Sequence, residues 1–483
     1  MADTQIRMRG LPLVARCLLA IAAAILPWTH VHAQEKLNII MLDLCSTRAD
    51  HFGTYGYSRD TTPNMDALGK SGVVFENSLS EGSWCLPSYG SLLTGHVPEV
   101  HGQYISLPAK GLPGFETTVA AELRNQGYRT ALFSGGVYLR PEWGLTKGFD
   151  TYVNTFSTST PGRIPAPFES NFGQVVDWVK EASKSGPFFL FATIDDMHAP
   201  YHAHDTEKYD PGYEGIAHDT DVFSVPFARA YNGEPSGYPA ALKEKAARFK
   251  SDPRHLKHLI AHYDAALSEA DKRIGEFIAQ LKQLGLDRNT VLIITGDHGE
   301  MLGEKGLLNH TQGLYEPVVH VPLIVRHPGF PQMAGRRLSQ QIQRIDLMPT
   351  ILEMADAPYA HLELQGTSFL PLLRDPGTPW REYAFVRSKR NLANYTDRNI
   401  EERVVRSKCW KLHHYLYKDR FELYDLCSDP GEIKDLSAGH PELVGKLSFE
   451  LIRNMETSRP HGPGLPSDRL ERSLDLTPLK PQE

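Results

Sequence analysis

Continuous apolar runs alternate with amphipathic segments over most of the chain before residue 380. Three of these runs are typical of buried β-strands: LNIIMLDL at 37–44, PFFLFATI at 187–194 and NTVLIITG at 289–296. Helical periodicity marks three further segments: 117–126, 172–183 and 256–281. The last of these predicts one long amphipathic helix that ends at Gly285.

Strands that alternate with helices predict an α/β sheet that is covered on both faces. In sheets of this kind, ligands bind beyond the carboxyl ends of the strands. Reactive side chains fall at those ends in this sequence: Asp43, the segment 195–198 and the segment 297–300. The pattern therefore predicts a functional site at one edge of the sheet.

The pattern changes near Trp380. Short alternating segments at 383–391, 403–417 and 420–426 predict an antiparallel sheet, and a helix is predicted at 441–455. We therefore expect three parts after the N-terminal segment: a catalytic domain at 34–378, an α+β subdomain at 379–460 and a loose tail at 461–483.

The first 33 residues have the pattern of a secretory signal peptide. Three arginines precede an apolar stretch at 18–26, and the small-residue motif VHA stands before Gln34. The apolar stretch is too short to span a bilayer. With a net charge of −7 and no basic stripe, the chain also lacks the signature of a nucleic-acid-binding protein. We expect a periplasmic or secreted protein with no membrane span.

The stretch WCLPSYGSLLTG at 84–95 places a cysteine at a predicted helix start. Pro87 falls in the first turn, where its missing N–H costs nothing. Cys85 then lies at the positive end of the helix dipole, facing any anion that approaches. A thiol at this position is either a buried packing residue or a group used in chemistry.

The chain has five cysteines, and Cys17 leaves with the signal peptide. Cys409 and Cys427 are close in sequence, so an oxidising compartment allows either a disulfide or two free thiols there. Cys45 and Cys85 remain without a predicted partner.

Five other features carry candidate chemistry. Asp297 and His298, in TGDHGE, offer a carboxylate and an imidazole to a divalent metal, although such a pair in a turn is often structural. Asp43 adds a carboxylate, and carboxylates that converge at strand ends repel each other unless a cation lies between them. His198 and His310 fall near the same edge, where each is either functional or an ordinary hydrogen-bonded loop histidine.

Together these segments resemble the sulfatase family of metal-dependent hydrolases. CLPSYGSLLTG is similar to the family's C-x-P-S-R-x-x-L-x-T-G signature, and TGDHGE to its second metal motif. Three further segments match its other landmarks: 53–78, 314–325 and 421–436. The resemblance implies an alkaline-phosphatase-like three-layer α/β/α sandwich with a large mixed sheet, plus a small C-terminal antiparallel sheet and helix.

The resemblance also implies a mechanism. A maturation enzyme would convert Cys85 to formylglycine, and the hydrated form would attack the sulfur of a sulfate ester. The ester would be that of a carbohydrate or of an aryl alcohol. His198 would protonate the leaving alcohol or hold the sulfate, and His310 occupies the place of a basic residue that binds sulfate. One divalent ion would be held by Asp43, Asp297, His298 and Cys85; calcium is favoured, and the histidine lets manganese or zinc compete.

The sequence departs from the family pattern at several positions. Tyr89 stands where the signature has arginine, which puts the conversion of Cys85 in question. The family's first metal aspartate aligns with Cys45, but Asp43 lies two residues earlier on the same strand face, and we predict Asp43 as the ligand because it supplies oxygen. A lysine and histidine pair of the family is also missing. Arg140, Lys147 or Lys305 could replace its positive charge, and the sequence does not choose among them.

Two other functions stay possible on these residues. A phosphate or phosphonate ester hydrolase would use the same scaffold. A binding homologue without turnover would keep Cys85 as an unmodified thiol.

Overall fold

The computed structural model describes eight stretches of the chain: residues 36–103, 111–114, 116–156, 166–218, 220–234, 238–310, 312–390 and 400–457. The signal peptide predicted at 1–33 and the tail predicted at 461–483 lie outside these residues. Among the helices that are described, none is both long and apolar enough to cross a membrane.

A nine-stranded mixed sheet forms the centre of the described structure. Its strands are β1 (Asn38–Leu44), β2 (Val73–Leu79), β3 (Arg129–Ser134), β4 (Thr151–Asn154), β5 (Phe188–Ile194), β6 (Thr290–Gly296), β9 (His320–Val321), β10 (Leu323–Arg326) and β11 (Arg336–Gln343), and a short hairpin, β7 (Met301–Leu302) and β8 (Leu308–Asn309), lies outside it. The strand order is β11-β2-β10-β6-β1-β5-β3-β4, with β9 beside β2. β1 is parallel to both of its neighbours, whereas β10 is antiparallel to β6.

Helices cover both faces of this sheet, as the sequence predicts. The helices around this sheet are α1 (Pro63–Ser71), α2 (Cys85–Thr94), α3 (Pro98–His101), α4 (Val119–Asn125), α5 (Glu169–Ala182), α6 (Val225–Tyr231), α7 (Ala240–Ser251), α8 (Pro253–Gln283), α9 (Glu316–Val319), α10 (Leu347–Met354) and α11 (Leu370–Arg374). The last helix, α12 (Pro441–Thr457), packs instead on the C-terminal strands. Alternate residues of β1 enter different cores: Ile40 and Leu42 pack with α5 and α8, and Ile39 and Met41 pack with α2 and α4. The predicted three-layer sandwich is confirmed.

The predicted long helix is α8. Asp252 caps its start by accepting a hydrogen bond from the Arg254 backbone N–H at 2.9 Å. Its buried stripe includes Leu259, Leu267 and Ile274, which pack on the sheet. Gly285, with φ of 70°, follows the helix in the left-handed conformation that glycine adopts without strain.

The register of the three central parallel strands builds one functional edge. Leu44 of β1 pairs with Ile194 of β5 and with Gly296 of β6. The residues that follow, Cys45, Asp195 and Asp297, therefore leave the sheet side by side. This is the edge at which the sequence predicts a site.

A four-stranded antiparallel sheet follows, with strands β12 (Ala384–Arg390), β13 (Ile400–Arg406), β14 (Trp410–Tyr415) and β15 (Arg420–Asp425). Ser407 lies at the turn between β13 and β14 and accepts a hydrogen bond from the Trp410 backbone N–H at 3.1 Å. Cys409 and Cys427 form a disulfide that joins the flanks of β14 and β15, so the disulfide alternative is confirmed.

A buried ionic cluster joins this small sheet to α9 of the main domain. Glu316 lies between Arg406, with Oε2 and Nη2 3.1 Å apart, and Lys411, with Oε1 and Nζ 3.0 Å apart. Lys411 Nζ also lies 3.0 Å from Glu432 Oε1. The charges of Arg406 and Lys411 hold the pKa of Glu316 well below its ordinary value, although burial opposes this.

Replacing Glu316 with glutamine removes a negative charge that compensates the buried positive charges of Arg406 and Lys411. We expect Glu316→Gln to lower the free energy of unfolding by about 3 kcal/mol at neutral pH. Because the folded pKa is depressed, the stabilisation is complete above pH 4.5 and is lost as the pH falls further. Denaturant melts of both proteins should therefore converge at acidic pH. Glu181→Gln, at an exposed pair with Lys184, is the control that should leave the midpoint unchanged; an equal loss there would contradict the assignment.

Candidate active site

The site begins at the N-terminus of α2. Trp84 is extended, with φ of −160° and ψ of 165°, and the helix starts at Cys85 and ends before Gly95, which has φ of 69°. Pro87 lies in the first turn, as the sequence predicts. Cys85 is 5% exposed, so its sulfur lies at the floor of the site with the positive end of the helix behind it.

Four side chains bring potential metal-ligand atoms together around Cys85. They are Cys45, Cys85, Asp297 and His298, and the donor atoms all lie within 4.8 Å of one another. Cys85 Sγ is 3.7 Å from Cys45 Sγ and 3.3 Å from His298 Nε2. Asp297 Oδ2 is 3.3 Å from Cys45 Sγ and 3.4 Å from His298 Nε2.

Backbone groups fix the two ligands that follow β6. Asp297 Oδ1 accepts hydrogen bonds from the backbone N–H of Ser46 at 2.8 Å and of His298 at 2.7 Å, which turns Oδ2 towards the sulfurs. His298 Nδ1 donates to the Gly299 carbonyl at 2.8 Å, so Nε2 presents its lone pair to the cluster. Burial lowers the pKa of His298 to about 4 and keeps the imidazole neutral.

Asp43, the predicted metal ligand, lies outside the four-residue cluster. Its Oδ2 forms a fully buried ion pair with Arg344, which also donates to the Gly296 carbonyl. Its Oδ1 has no hydrogen-bond partner among the described residues. The structure thus brings Cys45, and not Asp43, into the four-residue cluster, and a ligand role for Asp43 stays a prediction.

The two thiols are protonated in the absence of a cation. The hydrogen bond from Cys45 lowers the pKa of Cys85, but burial and the charge of Asp297 outweigh it and raise that pKa to about 12. Burial raises the pKa of Cys45 well above its ordinary value. A divalent ion would displace both protons, since a coordinating thiol binds as the thiolate. The donor set fits such an ion.

Three histidine rings extend the site away from the cysteines. The ring centroid of His310 is 4.2 Å from that of His298 and 5.2 Å from that of His198. His310 Nδ1 is 2.7 Å from Glu300 Oε2, and the Tyr201 hydroxyl donates to Glu300 Oε1 at 3.3 Å. Sequence reasoning missed this orienting role of Glu300, although its place in TGDHGE was a signal.

His198 is held by its own loop. Its Nδ1 donates to the Ala199 carbonyl at 2.8 Å, which turns Nε2 away from that contact. Burial lowers the pKa of His198, so the resting ring is neutral. The sequence-predicted residues Cys85, Asp297, His298, His198 and His310 therefore share one contiguous site.

Arg140, Lys147 and Lys305, the candidates for the missing positive charge, each contact a residue outside the cluster. Arg140 pairs with Glu142, and Lys147 Nζ donates to the Glu116 carbonyl at 2.9 Å. Lys305 donates to the Glu432 carbonyl. Tyr89, in place of the signature arginine, is buried in the core with no hydrogen-bond partner for its hydroxyl among the residues described. The charge of an anionic substrate must therefore be met by other groups.

Comparison with known proteins identifies the family of this chain. The family model "Sulfatase" matches residues 38–357, and "N-sulphoglucosamine sulphohydrolase, C-terminal" matches 303–458. Arylsulfatase K of Canis lupus familiaris is 26% identical over 431 residues, which cover 80% of this chain and 77% of that protein.

Two solved structures share the fold. A protein solved in complex with its substrate D-glucosamine-2-N,6-O-disulfate has a TM-score of 0.68 and 19% identity, covering 88% of this chain and 98% of its own. The phosphonate monoester hydrolase of Agrobacterium radiobacter has a TM-score of 0.70 and 20% identity, covering 88% of this chain and 96% of its own. Since the family model spans well over half of its length, this chain belongs to the sulfatase family of sulfuric ester hydrolases.

Proposed function

We propose that the protein is an exported sulfatase that hydrolyses a sulfate ester through a formylglycine made from Cys85. The observation that carries this proposal is the position of Cys85. Its sulfur lies at the positive end of α2, 3.3 Å from His298 Nε2, in a cluster that fits a divalent ion. Export is supported by the signal-peptide pattern of residues 1–33.

Asp297, His298 and residue 85 would hold the metal, with Asp43 or Cys45 as the further ligand. When bound, the ion supplies Lewis-acid polarisation and positive charge, and formylglycine supplies a hydroxyl nucleophile once hydrated. The α2 N-terminus adds partial positive charge where the ester oxygens bind. This addition matters because Arg140, Lys147 and Lys305 are engaged elsewhere.

His198 would be the proton donor to the leaving alcohol. The resting ring is neutral because burial lowers its pKa. An anionic ester beside the ring would favour its charged form, so that Nε2 gains a proton in the complex and passes it to the departing oxygen. Glu300 fixes the orientation of His310 through Nδ1, and His310 would bind the sulfate.

The substrate class that we propose is a sulfated carbohydrate or aryl alcohol. The structural neighbour solved with D-glucosamine-2-N,6-O-disulfate supports the carbohydrate, and arylsulfatase K supports the aryl ester. A second candidate, phosphonate or phosphate ester hydrolysis, is favoured by the likeness to the phosphonate monoester hydrolase and by Tyr89 in place of arginine.

The conversion of Cys85 is tested by the mass of its peptide. In protein exported by its own host, we expect sulfur and two hydrogens to be replaced by one oxygen at Cys85, while Cys45, outside the signature, keeps its thiol. Tyr89→Arg should raise the converted fraction in a host with a sulfatase-maturing enzyme. An intact Cys85 thiol in active native protein would contradict the formylglycine.

Parallel assays of aryl sulfate and aryl phosphonate monoesters on one preparation separate the two candidate activities. We expect the larger kcat/KM for the sulfate. The reverse preference, retained at high purity and lost in Cys85→Ala, would replace the sulfatase proposal with the phosphonate one.

His198→Ala tests the proton donor. A general acid contributes about 10²–10⁴ in rate, and it does so where the leaving group needs the proton. We expect kcat to fall by about 10² for an alkyl sulfate and much less for a nitrophenyl sulfate. His204→Ala, at an exposed side chain, should change neither. Equal losses on both esters would show that His198 binds sulfate and is not the acid.

A further inference from the structure

Four of the six distances between the ligand atoms of the cluster have the length expected for the edges of a tetrahedral zinc site, and the other two are no longer than 4.8 Å. Zinc binds sulfur at about 2.3 Å and nitrogen or carboxylate oxygen at about 2.0–2.2 Å, so its tetrahedral ligand atoms lie about 3.3–3.8 Å apart. The four measured edges are 3.7 Å between the two sulfurs, 3.3 Å for Cys45 to Asp297, 3.3 Å for Cys85 to His298, and 3.4 Å for His298 to Asp297.

The elements of the donor set also favour zinc over calcium. Two sulfurs and one imidazole nitrogen face the centre, and Asp297 supplies the carboxylate oxygen. Calcium takes six to eight oxygen ligands at about 2.3–2.6 Å, which this set does not supply. Thiolate and imidazole ligands are those of zinc sites.

Asp43 does not belong to the cluster. Its Oδ2 pairs with Arg344, and both side chains are fully buried. Its Oδ1 has no hydrogen-bond partner among the described residues, but Asp43 is not one of the four residues whose donor atoms lie within 4.8 Å of one another. Cys45, two residues later on the same face of the chain, is the side chain that reaches the cluster.

Hydrogen bonds outside the cluster hold two ligands in place. Asp297 Oδ1 is fixed by two backbone N–H groups, and His298 Nδ1 by the Gly299 carbonyl. Such contacts set ligand orientation, and their loss typically costs about 10–100-fold in metal affinity. The set is thus prearranged for a small four-coordinate ion.

We propose that Cys45 is a thiolate ligand and that the chain, before Cys85 is converted, binds one Zn²⁺ through Cys45, Cys85, Asp297 and His298. This inference deepens the proposed metal site but does not rest on formylglycine or on turnover. Four protein ligands close the coordination sphere, as in structural zinc sites. Conversion of Cys85 would remove one of the two sulfurs, and residue 85 would then offer the metal an oxygen in its place.

Cobalt substitution tests the proposal without any activity measurement. The full chain is produced in a host without a maturing enzyme, Cys85 is verified as a thiol by mass, and the metal is removed with a chelator. We expect Co²⁺ to bind at one equivalent with a thiolate-to-cobalt charge-transfer band, and Zn²⁺, but not excess Ca²⁺, to abolish the band. Absence of the band, or its loss with Ca²⁺, overturns the proposal.

Substitutions at Cys45 and Asp43 test which of these two residues binds the metal. Cys45→Ser should weaken the charge-transfer band by about half and lower Zn²⁺ affinity roughly tenfold or more, and Cys45→Asp should move the preference towards Ca²⁺ or Mn²⁺. Asp43→Asn tests the alternative ligand and, in protein whose fold is verified by circular dichroism, should keep the band at full intensity. A band that is lost in Asp43→Asn but kept in Cys45→Ser overturns the assignment.

Two further outcomes are informative. If the Cys45 variants do not fold, Cys85→Ser decides: a thiolate band that persists in this variant comes from Cys45, and its absence overturns the proposal. A Cys45–Cys85 disulfide, identified in the metal-free chain as a cross-linked peptide pair distinct from the Cys409–Cys427 pair, also overturns the proposal. Failure of Cys85 conversion or of sulfate hydrolysis leaves the cobalt result standing, so the two proposals fail separately.

Discussion

The register between three parallel strands is the constraint on which the site depends. Because Leu44 pairs with both Ile194 and Gly296, the chain leaves β1, β5 and β6 at the same level. Cys45 and Asp297 then face each other across neighbouring strands, and α2 points its N-terminus at them. A slip of one residue would send these side chains to the other face of the sheet.

This edge concentrates negative and nucleophilic groups with little cationic compensation from side chains. Arg344 is committed to Asp43, and the other candidate cations lie in contacts of their own. Burial keeps His298 and His198 neutral. A site of this composition binds an anionic ester only when a cation and the dipole of α2 supply the positive charge. Catalysis is therefore expected to depend on metal binding.

Local patterns predicted most of the architecture and the position of Cys85 at the start of α2. The apolar runs located β1, β5 and β6, the amphipathic stripe located α8, and Pro87 located the start of α2. The sequence does not distinguish whether Asp43 or Cys45 reaches the cluster, because residues two positions apart on a strand lie on the same face. Arg344, the partner that Asp43 contacts, is 301 residues away in sequence. The orientation of His310 by Glu300 depends equally on a side-chain contact between loops.

X-ray absorption at the metal edge of the zinc-loaded chain would identify the atoms that surround the ion. We expect sulfur scatterers at about 2.3 Å together with nitrogen or oxygen at about 2.0–2.2 Å in a four-coordinate shell. After conversion of Cys85, one sulfur scatterer should remain, from Cys45. A six- or seven-coordinate shell of oxygen alone would contradict a metal centre built on Cys45, Asp297 and His298.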